Sequence, residues 1–409
     1  MSALPAARAS APGARPRIAL FTTKMEGGGI QRVFATLARG FLARGIDVDV
    51  LLVSKRGALL GELPREARVL SMAAGWPLAA RPLFALPRAA RGIAWGWLGT
   101  LRPRPAESVG PLARYLAEAQ PDALLASPIS ASLAALWAAH LAGSRTRIVA
   151  REANTLSRQI EQRREWFHAR LPALAAEWYP RTAGVIAVSR GVADDLARLS
   201  GVPRERMTVI HSPVEIERLT AAARAPLDEP WFAAGEAPVV LAVGRLVPAK
   251  DFATLLRAFA LLRAQRPARL IVLGEGPERA RLVSLAEQLG IARDVRFRGF
   301  EENPFAFMAR AAVLASSSAY EGLANVLREA LACGCPVVAT DCASGSAEAL
   351  GNGALGRLVP VGDARALADA LAATLEEPPS SAERSERAQR IGSEDGVQRY
   401  LDVLLGRSG

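Results

Sequence analysis

The sequence predicts an α/β protein of two doubly wound, Rossmann-like domains facing each other across a cleft. Three observations predict it. Short runs rich in Val, Ile, Leu and Ala alternate with amphipathic helical patterns through both halves, as βαβ units around a parallel sheet require. At 409 residues the chain exceeds what one ordinary core serves. Between the halves, residues 216–237 carry Pro226 and Pro230 with little periodicity, which reads as a linker with some local helix.

Taken in order, residues 1–16 are rich in Ala, Pro, Arg and Ser without a continuous apolar stretch, so a disordered leader is expected rather than a signal peptide. The first domain, 17–215, opens with a strand at Arg17–Thr22, a glycine loop and a helix from about Ile30 to Arg44. Strands recur at Val48–Val53, Ala123–Ser127, Thr146–Ala150, Gly184–Val188 and Thr208–His211. The second domain, 238–380, restarts at Val239–Val243. Its further strands fall at Leu270–Leu273, Val295–Arg298, Ala312–Ala315, Val337–Thr340 and Gly356–Val359. Residues 381–409 are expected as one C-terminal helix, from about Ala382 to Leu405, packing back toward the first domain. In such sheets ligands bind beyond the carboxyl ends of the strands. The loops that follow strands are therefore where functional residues are sought.

The formal net charge of +11 is not spread evenly. Residues 1–215 hold 29 Arg and Lys against 16 Asp and Glu, whereas residues 216–409 hold 22 against 24. A basic first half suits an anionic acceptor or an acidic membrane surface. No nucleic-acid-binding motif accompanies the charge, so nucleic acid is not expected as a partner. From Ala67 to Ala106 there are six arginines and no acid, interleaved with Trp76, Phe84, Trp95 and Trp97. Arg158, Arg163, Arg164, Trp166, Phe167 and Arg170 extend the pattern. Such a mixture suits the headgroup layer of an anionic membrane; it equally suits aromatics filling a core beneath solvated arginines. The apolar stretch Leu83–Gly99 is interrupted by Pro87, Arg88 and Arg91 and should not span a bilayer.

Cys333, Cys335 and Cys342 are odd in number and lie within ten residues. His140, His168 and His211 are scattered. Small buried thiols in a reducing cytoplasm are expected, rather than a disulfide or a metal site.

The most informative segment runs from Glu321 to Leu331. If a helix begins near Ala324, Glu321 stands in the loop ahead of it and Glu329 in its second turn. The free amides of Leu323, Ala324 and Asn325 then lie at the positive end of the helix dipole, between the two acids. That suits a phosphate with a polar group at either end, the shape of a nucleotide sugar. After the strand ending at Val243 comes Gly244-Arg245, with Lys250 five residues on; Lys24, Lys55 and Lys250 are the only lysines. A forked guanidinium and an ammonium on one loop grip a diphosphate from two directions. Gly274 and Gly276 follow the next strand, where they permit close backbone approach to a ligand or simply serve the turn. Gly27-Gly28-Gly29 opens the first helix but matches neither GxGxxG nor a Walker A loop, which removes support for dehydrogenase and kinase readings. Asp47-Val48-Asp49 has the letters of a metal-binding Asp-x-Asp pair but alternates within a strand pattern and is read as structural.

Taken together these stretches resemble glycosyltransferase family 4. Carrying the resemblance are Gly28-Gly29-Ile30-Gln31-Arg32-Val33, Val188-Ser189-Arg190-Gly191-Val192, Ile210-His211-Ser212-Pro213-Val214, Val243-Gly244-Arg245 with Lys250, Gly274-Glu275-Gly276-Pro277, and Glu321 through Pro336, in the family's order. The resemblance implies the two-domain GT-B fold and a retaining transferase that needs no metal or other cofactor. It implies that Arg245 and Lys250 neutralise the donor diphosphate and that Glu321, first acid of an E-x7-E motif, contacts the transferred sugar. Glu329 would hold the nucleotide ribose, the backbone of Gly322–Val326 sugar hydroxyls and phosphate, and Gly28 and Gly29 would approach the diphosphate. UDP is the favoured nucleotide. A glycan or lipid-linked acceptor, cell-surface polysaccharide assembly and a cytoplasmic, peripheral location follow as expectations. Where many members carry a histidine after the strand ending at Ala150, this chain has Arg151, Glu152 and Asn154, candidate sugar or acceptor contacts. The alternatives are a nucleotide-sugar epimerase or a non-catalytic nucleotide-sugar-binding subunit.

Overall fold

Each half of the chain builds its own all-parallel sheet, because its strands are apolar on both faces and their crossovers are helical. The computed structural model describes residues 15–26, 28–73, 107–162, 168–392 and 395–407. In the first unit β1 (Arg17–Thr22), β2 (Asp47–Leu52), β3 (Arg68–Ser71), β4 (Ala123–Ala126), β5 (Arg147–Glu152), β6 (Gly184–Ala187) and β7 (Met207–Val209) lie in the order 3-2-1-4-5-6-7. The second unit holds β8 (Val239–Val243), β9 (Arg269–Leu273), β10 (Val295–Gly299), β11 (Val313–Ser316), β12 (Val337–Thr340) and β13 (Arg357–Val359) in the order 10-9-8-11-12-13. One unit comprises the chain up to Pro213 and again from Asp395; the other is Val214–Glu394.

β3 is the strand the sequence reading lacks. It is a four-residue edge strand with only Val69 and Leu70 to mark it. Arg68 fixes its register against β2 by a two-pronged contact to Asp49, at 2.9 and 2.6 Å. Tyr115 Oη donates to the same carboxylate at 2.6 Å. Asp49 is buried and fully occupied by these partners, so the Asp-x-Asp letters are structural, as expected. Asp49→Ala should destabilise the first unit by about 3 kcal/mol, because it leaves a buried phenol and a guanidinium without their acceptor; urea melts of both proteins check this.

Segment 216–237, read as a linker with some local helix, does form the helix Ile216–Ala223 and a turn at Pro230–Phe232, and it belongs to the second unit. The Glu229 carboxylate is wholly buried between Arg296 and Arg298, and Arg296 stacks 4.0 Å from the Trp231 ring centre. The C-terminal stretch is two helices, not one. Ser381–Gly392 packs in the second unit on Asn325–Ala332, and Gly396–Leu405 buries Tyr400, Leu401 and Leu404 in the core of the first. The break is set by Asp395, whose carboxylate accepts from the Gln398 amide at 2.9 Å and starts a new helix.

The sequence readings for the leader (all but its last two residues), Gly27, most of the 67–106 stretch with its four aromatics, and Arg163, Arg164, Trp166 and Phe167 lie outside the described residues. Among the described residues no helix is long and apolar enough to cross a membrane.

Candidate active site

In the second unit the strand order reverses between β8 and β11, and a reversal opens a crevice at the carboxyl ends of those two strands. The loop after β8 carries Gly244, Arg245 and Lys250. The loop after β11 carries Glu321 and leads into the helix Asn325–Ala332. Topology alone thus brings the cations and the first acid together.

Lys250 Nζ donates to Glu321 Oε1 in an ion pair whose side chains are 24% and 12% exposed. Ser318 Oγ donates to the same oxygen at 2.8 Å, and Ser344 Oγ holds the Glu321 carbonyl at 3.0 Å. Ser317 Oγ donates to the Lys250 carbonyl at 2.9 Å. Each loop therefore positions the functional residue of the other. The aliphatic stem of Lys250 crosses Gly244, where a Cβ would lie 3.5 Å from Cε. Arg245 is exposed and, among the described residues, makes no ion pair, so its guanidinium remains available to an anion.

Ser317, Ser318 and Ser344 were missed by sequence reasoning. The available signal was the run Ser316-Ser317-Ser318 at the end of a strand that is otherwise apolar. Its hydroxyls need partners when buried, and Ser316 Oγ and Ser318 Oγ lie 3.3 Å apart, while Thr340 Oγ1 donates to the Ser318 carbonyl at 2.6 Å.

Gly322, Leu323 and Ala324 are buried ahead of the helix, whose start has no side-chain cap. The Asn325 amide, expected to be free, donates instead to the Leu323 carbonyl at 2.9 Å. The amides of Leu323, Ala324 and Val326 reach no backbone carbonyl among the described residues. Glu329 is half-buried in the second turn of the same helix. Gly274 and Gly276 approach another loop rather than open space: added Cβ atoms would lie 1.9 Å from the Gly244 oxygen and 2.3 Å from the Leu246 oxygen. Cys333, Cys335 and Cys342 are free thiols. Burial, with the charge of Glu329 adding to it, pushes the Cys333 thiol up to about 12.

In the first unit, Gly28 precedes the helix Gly29–Leu42 and Gly29 opens it. Arg151 and Glu152 end β5 and are both buried, whereas Asn154 is exposed. Arg151 Nε donates to Tyr400 Oη at 2.8 Å and its Nη2 to Ser212 Oγ at 3.1 Å. Tyr179 Oη donates to Glu152 Oε1. Burial raises the Glu152 carboxyl from 4.5 to about 7, against smaller opposing effects of Tyr179 and Arg151. Between those values the folded protein keeps a proton that the unfolded chain releases, so stability falls as pH rises from about 4.5 to about 7. The effect is on the order of 3 kcal/mol. Glu152→Gln should flatten this part of the stability profile, as urea melts at pH 5 and pH 8 would show.

Among the described residues no group of three or more His, Cys, Asp or Glu could hold a metal ion.

Two family models match the chain end to end: Glycosyltransferase Family 4 over residues 27–218 and Glycosyl transferases group 1 over residues 224–391. The chain belongs to glycosyltransferase family 4. Both acids of the E-x7-E motif and both cations of this family 4 chain lie in the second match.

One relative is an N-acetylgalactosamine-N,N'-diacetylbacillosaminyl-diphospho-undecaprenol 4-alpha-N-acetylgalactosaminyltransferase of Campylobacter jejuni. It is 30% identical over 58% of this chain and 63% of its own length. Another is the lipopolysaccharide core biosynthesis glycosyltransferase LpsE of Rhizobium meliloti, 36% identical over 47% of this chain and 54% of its own. The alignments thus span from about half to just under two thirds of these relatives. The fold of Anabaena HepE in complex with UDP and glucose covers 96% of this chain and 100% of that one, with a TM-score of 0.74 at 22% identity. The galactosyltransferase WaaB gives 0.68 at 18% over the same shares. These likenesses establish the GT-B type of fold, two parallel Rossmann-like sheets in one chain.

Proposed function

We propose that this family 4 protein is a retaining, metal-independent glycosyltransferase that moves a sugar from a nucleotide diphosphate, UDP by preference, to a glycan or lipid-linked acceptor. The observation that carries this reading is the Lys250–Glu321 pair at the strand-order reversal of the second sheet, with Arg245 exposed on the loop that carries Lys250. Departure of a nucleoside diphosphate develops negative charge on phosphate, which preorganised cations and helix-start amides stabilise. Arg245, Lys250 and the amides of Leu323, Ala324 and Val326 supply those groups. An ammonium has three donors, so Lys250 can meet a phosphate oxygen while still holding Glu321. The acid then faces the sugar as its anomeric carbon becomes positive. Glu329, one turn and a half further on, is assigned to the ribose. Arg151 and Glu152 are buried in their own unit, and Asn154 is the exposed candidate for acceptor contact.

The Campylobacter relative's undecaprenyl-diphosphate acceptor and the lipopolysaccharide role of LpsE support a membrane-linked acceptor in cell-envelope assembly. UDP bound to HepE supports the nucleotide. A panel of UDP-, GDP- and ADP-sugars, assayed for nucleotide release with and without lipid extract, tests the reading. Acceptor-dependent release from one donor is expected; an epimerised or free sugar without an acceptor would point to the epimerase alternative instead. In this reading the protein acts as a peripheral enzyme on the cytoplasmic face of the membrane. It should co-sediment with liposomes containing about 30% anionic lipid and not with neutral ones, because Lys and Arg contribute about 1 kcal/mol each near an anionic surface. Equal sedimentation with both would remove the membrane role of the basic first half.

A further inference from the structure

The first sheet carries a row of buried polar groups that the reaction described above does not use. Its strand order reverses between β1 and β4. In register, Phe21 stands beside Ala126 and Ala126 beside Ala150, so Thr22, Ser127 and Arg151 occupy the next level on three adjacent strands. Side chains alternate along a strand, and Leu20, Leu125 and Val149, two residues earlier in each, all face the core that also holds Tyr400. Thr22, Ser127 and Arg151 therefore point to that same face, about 5 Å from strand to strand. The Arg151–Tyr400 bond agrees with this direction.

All three are essentially without solvent exposure, and among the described residues Thr22 Oγ1, Ser127 Oγ and Arg151 Nη1 have no hydrogen-bond partner. The partners Arg151 does have, Tyr400 and Ser212, are neutral hydroxyls. A buried guanidinium with an unpaired donor is costly; the Glu152 carboxyl, which feels its charge, accepts its hydrogen bond from Tyr179. The helix Ile129–Ala142 starts two residues after Ser127, with neither a side-chain cap nor an acid in its first turn, and directs its positive end to the same edge. One residue further along the strands Thr23 and Pro128 are half-exposed and Glu152 is buried, so the Thr22–Ser127 end of the row lies one layer below the surface.

We infer that Thr22, Ser127 and Arg151 form a binding site for one phosphate-class anion at the strand-order reversal of the first sheet, separate from the Lys250–Glu321 site. Three donors on three neighbouring strands match the oxygens of a single phosphoryl group. Free phosphate and the phosphate of a lipid-linked acceptor share that chemistry.

Calorimetric titration of the full chain with inorganic phosphate tests the site, with chloride as control. Saturable binding is expected in the wild type, with the apparent Kd raised about tenfold in Thr22→Val and in Ser127→Ala and binding lost in Arg151→Met. The first two variants preserve shape, so the test stands even if Arg151→Met fails to fold. No phosphate binding, or binding unchanged in Thr22→Val and Ser127→Ala, would overturn the assignment and leave the row to internal water. Phosphate binding at this row should survive Lys250→Ala; loss there would place the anion in the second unit instead. A short polyprenyl phosphate in detergent that competes with phosphate identifies the acceptor as its source, and failure to compete identifies free phosphate.

Discussion

Glu321→Gln is expected to lower kcat by about 100- to 1000-fold while donor KM moves by no more than a few-fold. Glutamine keeps the size of the side chain and an oxygen to accept from Ser318, which in the native protein donates at 2.8 Å. What disappears is the negative charge facing the anomeric carbon. A preorganised electrostatic contact realised mainly at the transition state is worth about 3 to 4 kcal/mol, hence the size of the effect. Its location in kcat rather than KM is the diagnostic part. Steady-state kinetics with the donor identified by the panel would show it. An unchanged kcat with a raised KM would reassign Glu321 to ground-state binding.

Gly274→Ala carries the second-largest effect, on folding as well as on the site. Gly274 has φ of 138°, and a Cβ there would lie 1.9 Å from the Gly244 oxygen. The obstruction is backbone, held by the Gly244 amide to the Leu273 carbonyl at 2.9 Å and the Leu246 amide to the Glu275 carbonyl at 2.9 Å. Neither side can yield without breaking the seam between the loops after β8 and β9. A cost of about 3 kcal/mol or more is expected. Because the displaced loop carries Arg245 and Lys250, any folded fraction should bind nucleotide weakly. Thermal melts with and without UDP would show a lowered Tm and a smaller ligand-induced rise. A Tm within about 2 °C of the wild type would mean that the seam opens easily.

The strands were legible because parallel, doubly covered strands leave unbroken apolar runs, and Val239–Val243 and Val337–Thr340 begin and end where those runs do. The edge strand β3 was not, since its pairing rests on one Arg–Asp contact and not on a run. Lys250 stood out by rarity, and Glu321 and Glu329 by spacing. That Lys250 and Glu321 touch is a consequence of β8 and β11 being neighbours, a long-range pairing no local pattern encodes. Gly274 and Gly276 do permit close backbone approach, but the backbone they admit belongs to the adjacent loop. Arg151 was flagged by position beside an expected histidine, while its tie to Tyr400, 249 residues away, awaited the fold.

The most direct test of the proposed donor site is nucleotide release by the wild type, Lys250→Ala and Glu321→Ala under one set of conditions, with folding of each verified by its melt. The proposal predicts acceptor-dependent turnover in the wild type and losses of at least 100-fold in both variants. Turnover near the wild-type rate in both folded variants would contradict it.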